Sequence, residues 1–490
     1  MAEKFVHVDR VTPLLLPPSI QEWVPDDHPA RLTVELVDQL DLTAAATNQT
    51  GSGSAQYPPS MMLSLLIYSY SSGIFTSRRI ETLCYNDIGA RLICAGYFPD
   101  HDTINTFRKN NRSLFHRSFI EILRLAAELE LVNLGKLEIA SDGTTLRSAG
   151  GSKQSRTRQQ ISEDLKKADA SIQAIETQID ELFAQADRCE KADPTPDRTL
   201  PEGLETTAKR QAKIQAAKKE LARQQALRTK LQTAQDIDQA ALDQAQATRE
   251  QRHKDVKASA IGIPPKPTTK ADPQARRVNL HDPHAPSLKL KNGQYGHGYN
   301  VQMSVDTAKL GLIVGAHITT EGNDRQQLSA CVAQVEATLG PGTVAAVLAD
   351  SGYDNTYQID LLEKRGIDVQ CELQGIDKLQ KGPSKNTRGT RVRATFQRRQ
   401  EHYEKISTEA NRQRRRRRRE TIEPRFGEIK SVMGFDRFHL CGERGVDLEL
   451  VLVSTAANVR KLNANATWQR AMKAKRVKTG GSHPASTYFN

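Results

Sequence analysis

The sequence predicts an α/β protein: a mixed-sheet core, an all-helical region before it, and a long helical hairpin inserted within it. Three observations carry this. Residues 1–130 hold short apolar runs punctuated by Pro and Gly. Apolar residues at 161, 165, 168, 172, 175, 179 and 182 alternate spacings of four and three, the signature of a coiled-coil seam. Strand-like segments lie on both sides of that seam, at 136–140 and between 299 and 371.

In the N-terminal region, Leu32, Leu36 and Leu40 recur every four residues and give one apolar helical face. Pro58 and Pro59 precede an apolar run over 61–70 that Gly73 ends. Thr76 and Ser77 offer hydroxyl caps to a third helix carrying Arg78 and Arg79. Asp102 is the expected cap of a fourth, with Phe107 on its apolar side. Short helices with basic residues beside tight turns suit a helix-turn-helix-like DNA reader, and equally suit a structural helical cap.

The first core strand is expected over 136–140, ended by Asp142-Gly143. The seam that follows is interrupted by Asp193-Pro194-Thr195-Pro196. A second helix over about 205–256 places Ile214, Ala217, Leu221, Leu227, Leu231 and Ala234 on its own seam. Two such helices joined by a proline turn fold back as an antiparallel hairpin. Ile263-Pro264-Pro265-Lys266-Pro267 reads as an extended linker. Strands over 299–305, 312–319, 344–348 and 367–371 alternate with helices over 326–339 and 356–364. That order fits an RNase H-like sheet flanked by helices. Residues 373–400 read as a polar, basic loop. Ile422, Phe426, Ile429 and Met433 form a helical stripe facing the core. The tail from 463 reads as basic and loose.

The expected domains are therefore 1–130, a helical DNA-binding region; 131–150 with 261–462, a catalytic core; 151–260, the inserted hairpin and linker; and 463–490, a flexible tail. Lys plus Arg number 70 against 58 Asp plus Glu, a formal charge of +12, which favours polyanionic partners. Aromatics are only 5%, which disfavours broad base-stacking platforms. Six scattered cysteines show no metal-ligand spacing and read as reduced thiols. No apolar run approaches membrane-spanning length, so a soluble, cytoplasmic protein is expected.

Chemistry points to three acids. Asp142 and Asp350 each follow a short apolar run and precede or adjoin a glycine, Gly143 and Gly352, that lets backbone approach a metal or phosphate closely. Glu423 sits beside an arginine run filling seven of the eight positions 412–419. Asp-Gly after a strand is ordinarily only a turn, and a Glu before Pro ordinarily only complements a helix dipole. Together, three carboxylates can hold two divalent ions about 4 Å apart, the arrangement that drives in-line phosphodiester chemistry. Arg419, four before Glu423, and Lys430, seven after it, share its face if the helix continues through Pro424.

These residues resemble the DDE transposases of bacterial insertion sequences. The likeness covers roughly residues 12–150 and 275–462. It rests on Leu-Leu-Leu-Pro-Pro-Ser (14–19), Val-Pro-Asp-Asp-His-Pro-Ala-Arg (24–31), the segments around Arg78-Arg79 and 99–104, Asp142-Gly143-Thr144, the strand Gly298-Tyr299-Asn300-Val301-Gln302, Asn323-Asp324-Arg325-Gln326-Gln327-Leu328, Ala349-Asp350-Ser351-Gly352-Tyr353 and Glu423-Pro424-Arg425-Phe426-Gly427. More narrowly, the chain is similar to the branch whose last motif is Tyr-x2-Arg-x3-Glu-x6-Lys, with Arg416 at the tyrosine position. The resemblance implies Asp142, Asp350 and Glu423 as catalytic ligands of two Mg2+ ions, with Mn2+ able to substitute. It implies DNA contacts by Arg416, Arg419, Lys430, Arg78 and Arg79. The implied reaction is cleavage at the ends of an insertion sequence followed by strand transfer into target DNA. The implied partners are double-stranded DNA, as terminal inverted repeats and target, and a second copy of the chain on paired ends; the implied location is the nucleoid. The alternatives are a catalytically inactive, transposase-derived DNA-binding protein and a coiled-coil assembly protein.

Overall fold

A computed structural model of the chain describes residues 19–47, 55–191, 207–265, 276–290, 293–308, 310–381 and 389–479. The proline turn at 193–196, the end of the linker and residues 480–490 lie outside the described residues.

Eight strands form among the described residues: β1 (Leu137–Arg147), β2 (Ser155–Thr157), β3 (Arg277–Asn279), β4 (Ser287–Lys289), β5 (Tyr295–Asp306), β6 (Ile313–Thr319), β7 (Val344–Ala349) and β8 (Asp368–Cys371). In the main sheet β5 pairs antiparallel with β1, β4 and β6, while β1–β7 and β7–β8 are parallel. This is the RNase H-like arrangement expected: antiparallel strands, with β4 and β6 both against β5 and β5 against β1, continued by two parallel ones, β7 and β8. The β2–β3 ribbon pairs Ser155 with Asn279 at the point where the hairpin leaves and rejoins the core.

β1 departs from expectation. It does not end at Asp142 but runs five residues further, because β5 is long enough to pair with it from Ile139↔Asp306 to Arg147↔Gly298. Thr144 and Thr145 suit a pleated surface, and Leu146 is buried in the core. Asp142-Gly143 is therefore mid-strand rather than a turn.

Among the described residues seven helices precede the sheet: α1 (Ile20–Trp23), α2 (Pro29–Val37), α3 (Pro59–Ser71), α4 (Ser77–Asn86), α5 (Ile88–Ile93), α6 (His101–Asn110) and α7 (Arg112–Glu128). Asp100, not Asp102, caps α6, accepting from the Thr103 amide at 2.8 Å. The hairpin is α8 (Arg158–Lys191) and α9 (Thr207–Ala258). It is antiparallel, since Arg158 pairs with Asp238 while Arg228, ten residues earlier on α9, pairs with Asp169. Ile161, Ala168, Ile179, Leu231 and Ala234 are buried along it as expected, but Leu227 is exposed. There the seam runs through the half-buried Gln224 instead.

After β6 come α10 (Leu328–Leu339), α11 (Thr356–Lys364), α12 (Ile376–Gln380), α13 (Thr390–Ile406), α14 (Glu409–Gly427), α15 (Gly442–Asn463) and α16 (Ala466–Thr479). The expected loop over 373–400 holds α12 and most of α13. Its polar sequence hides the helix because ion pairs fix it: Arg398 meets Asp360 at 3.0 Å and Arg399 meets Asp354 at 2.7 Å. The expected loose tail begins instead with α16, anchored by the buried Trp468 and Met472.

α15 is buried on almost every side and packs on α3 and α7 at one side and β6 at the other. Such a helix belongs in a core rather than on a surface. One hydrophobic core consequently runs from the N-terminal helices through α15 into the sheet. Inside it, the Asn458 side chain donates to the Ile313 carbonyl and accepts from its amide, both at 2.8 Å, satisfying an otherwise unpaired edge of β6.

Asp306, at the end of β5, is buried, and burial pushes its carboxyl up to about 6, with the nearby charge of Glu138 adding to the shift. Its folded pKa lies above the ordinary 3.8. The ionised form therefore costs stability above pH 6, and that cost disappears below pH 4. Asp306→Asn should raise the melting temperature at pH 8, by on the order of 1–3 kcal/mol of stability, and leave it unchanged at pH 4. Thermal melts at the two pH values check this.

Candidate active site

The parallel pairing of β1 with β7 sets Ala140 beside Leu348. Two residues further along each chain stand Asp142, still within β1, and Asp350, just past the end of β7. Asp142 Oδ1 accepts from the Gly143 amide and Asp350 Oδ1 from the Gly352 amide, each at 2.8 Å. Burial raises the Asp142 carboxyl; Arg418 opposes that shift and the negative charge of Asp350 adds to it. The two aspartates therefore share one electrostatic environment.

α14 lies across this face of the sheet, against β1, β7 and β5. It grips alternate residues of β1, which a strand presents on one side. Arg414 pairs with Glu138 at 2.5 Å, Arg418 Nη1 lies 3.1 Å from Asp142 Oδ2, and Lys430 Nζ donates to Thr144 Oγ1. Arg414 and Arg418 are one turn apart, so they share the helix face with the buried Ile422. The run of arginines is thus helical and two-sided: Arg414, Arg415 and Arg418 turn inward, whereas Arg416, Arg417 and Arg419 are exposed. Lys430 reaches β1 where the helix widens to π geometry over Glu428–Val432.

Glu423 lies on this same helix, which continues through Pro424, and its side chain is exposed. It is five residues beyond Arg418, a rotation of roughly 140° around the helix from the side that faces Asp142. Among the described residues no group of three His, Cys, Asp or Glu side chains is arranged to hold a metal ion. The structure thus brings Asp142 and Asp350 together and sets Glu423 on the helix above them. Two carboxylates beside backbone that can approach closely suit a hard divalent cation, which takes a couple of carboxylates and completes its shell with water and phosphate oxygens. The buried Arg418 guanidinium opposite Asp142 marks the same demand for positive charge there.

A third carboxylate, Asp324, lies behind the pair. Side chains alternate along a strand, so what stands over Gly143 lies on the sheet face opposite Asp142. A Cβ at Gly143 would come within 2.6 Å of Gln302 Nε2 and closer still to Asp324 Oδ1. A Cβ at Gly352 would stand 3.7 Å from Asp324 Oδ2. Asp324 thus buttresses the backbone next to both aspartates. It is held by the Asn300 amide at 2.8 Å and the Gln302 amide at 2.6 Å, and Gln302 in turn accepts from the Tyr353 hydroxyl. Arg418 was legible in principle, four residues before Ile422 on the buried face; Asp324 stands in a segment that carries the family resemblance, but it belongs to no periodic element, so nothing local set it behind the aspartates.

Of the remaining candidates, Arg78 and Arg79 are exposed on the first turn of α4. Among the described residues no helix is long and apolar enough to cross a membrane.

An RNase H-like sheet with one aspartate within β1 and a second just past the end of the parallel β7, crossed by an arginine-lined helix, defines a DDE-type core. The family described as Transposase DDE domain matches residues 265–459, and the one described as Transposase domain (DUF772) matches residues 18–110. The chain belongs to the DDE transposases of insertion sequences. Asp350 and Glu423 fall within the first matched span and Asp142 before it. No curated protein and no solved structure matches the chain.

Proposed function

We propose that this transposase cuts DNA at the ends of its element and joins those ends to target DNA, with Asp142, Asp350 and Glu423 as metal ligands. The observation that carries the reading is the placement of Asp142 within β1 and of Asp350 just past the end of the paired strand β7, with α14 laid over that face of the sheet. Bound Mg2+ or Mn2+ would stabilise the charge on the attacking and leaving oxygens of the phosphodiester. The chain's own residues do the rest. Asp142 and Asp350 supply hard oxygen donors from a rigid sheet. Arg418 holds Asp142 in place. Lys430 ties α14 to the strand that bears Asp142. The exposed Arg416 and Arg419 present charge to phosphates flanking the cut, and Arg78 and Arg79 do so from α4. Two copies acting on paired ends at the nucleoid complete the proposal.

Metal removal tests it. In EDTA the protein should retain duplex DNA carrying the element's ends without cutting it, and added Mg2+ should restore cutting. Cutting that persists in EDTA would refute the metal-dependent reading. Binding without cutting in either condition would favour a DNA-binding protein that has lost catalysis.

A further inference from the structure

A cleft of about 810 Å³ opens between the N-terminal helices and the start of α15. Its walls include Thr76, Asn105, Lys109 and Arg112 on one side and His439 and Arg444 on the other, and among the described residues no acidic side chain lines it. Two of these groups already face acidic partners. Arg112 pairs with Asp447 at 2.6 Å, and His439 faces Glu449 at 3.2 Å. Lys109 and Arg444 are exposed and have no acidic partner among the described residues.

At the cleft wall sits Arg108, only 3% exposed. Its Nη groups donate to the Tyr70 hydroxyl, the Phe75 carbonyl and Asn105 Oδ1. Its Nε has no hydrogen-bond partner, and no carboxylate pairs with the guanidinium among the described residues; Glu449 is reached only through Tyr70. A buried cation without an ion-pair partner is costly unless an anion comes to it. The first turn of α4 opens onto the same cleft. Its cap residue Thr76 makes no side-chain capping bond, so amides at the positive end of that helix remain available to an anion.

The cleft is also connected to the candidate active site. Arg147, the last residue of β1, pairs with Asp436 and bridges to the backbone of Arg437, two residues before His439. From Asp142 to Arg147 the strand spans about 17 Å. A duplex rises about 3.4 Å per base pair, so DNA being cut at Asp142 would reach the cleft after at least about five base pairs.

We propose that this cleft is a phosphate-backbone grip for the duplex flanking the cleavage site, in which Lys109 and Arg444 neutralise phosphates at the mouth and Arg108 with the α4 amides supplies fixed positive charge within. The proposal rests on the DNA-cutting reading above. It predicts contacts that strengthen binding without reading sequence.

The test is binding of full-length protein, in EDTA, to fluorescent duplexes with and without the element's end, between about 50 and 200 mM salt. Lys109→Gln and Arg444→Gln should each lower the slope of log K against log salt by about 0.9, and the double variant by about twice that. Both duplexes should weaken equally. Arg223→Gln, on the exposed face of the hairpin, should leave the slope unchanged. Melting temperatures should match wild type, since both cleft side chains are exposed. A double variant with the wild-type slope would overturn the cleft, even if its affinity fell. Wild-type protein that binds neither duplex would overturn the functional reading itself.

Discussion

Asp142→Asn and Asp350→Asn each lower metal-dependent end cleavage by at least about 10³-fold, the scale of several kcal/mol of lost charge stabilisation. DNA retention stays near wild type, because neither carboxylate touches the exposed cations assigned to the duplex. Asp142→Asn carries a second cost. Arg418 is buried opposite it, and losing its ion-pair partner at 3.1 Å should destabilise the fold by about 1–3 kcal/mol. Glu423→Gln separates chemistry from folding. That side chain is exposed, so stability should change by less than about 0.5 kcal/mol. If Glu423 is the third ligand, cleavage nonetheless falls as steeply as for the aspartates. Gel assays of end cleavage beside thermal melts read both quantities, and full cleavage by Glu423→Gln would remove it from the site.

Gly143→Ala is the second large expected effect. The new methyl group would be driven into Gln302 Nε2 and Asp324, which cross-linked amides hold in place. Neither can swing aside without breaking its bond to the other. The cost is about 1–3 kcal/mol of stability from overpacking. Because Asp142 is the preceding residue, a displacement of about 1 Å there should also cost cleavage about 10²-fold. Gly151→Ala is the control: a Cβ there meets nothing within 4 Å, and both readouts should stay at wild-type values. Wild-type stability and cleavage in Gly143→Ala would mean that the Asp324 cluster yields freely and positions nothing.

Much of this architecture was readable from residue patterns. The strand order followed from short apolar runs alternating with helical ones, and the hairpin from spacings of four and three. The stripe at Ile422, Ile429 and Met433 does face the core. What failed to read did so for physical reasons. Asp142-Gly143 carries turn chemistry, yet the length of β5, a partner more than 150 residues away, keeps it in the strand. α13 has too little apolar periodicity to announce a helix, since Arg398 and Arg399 fix it to carboxylates elsewhere. The arginine run looks uniform in one dimension, whereas the helix sorts it into a face that holds Glu138 and Asp142 and a face left to solvent. That Asp142 and Asp350 would be neighbours was legible if their two strands pair, which they do, although Asp142 stands within its strand and not at its end. The place of Glu423 depends on how α14 is rotated over the sheet, which no local spacing fixes.

Iron-directed backbone cleavage tests most directly whether Asp142 and Asp350 share one divalent-cation site. With Fe2+ replacing Mg2+ and peroxide added, hydroxyl radicals cut the polypeptide near the bound ion. Cuts are predicted beside residues 142 and 350, together with a cut on α14 near 423, all lost in Asp142→Asn. Cuts at only one of the two aspartates, or a pattern unchanged by Asp142→Asn, would contradict a shared site.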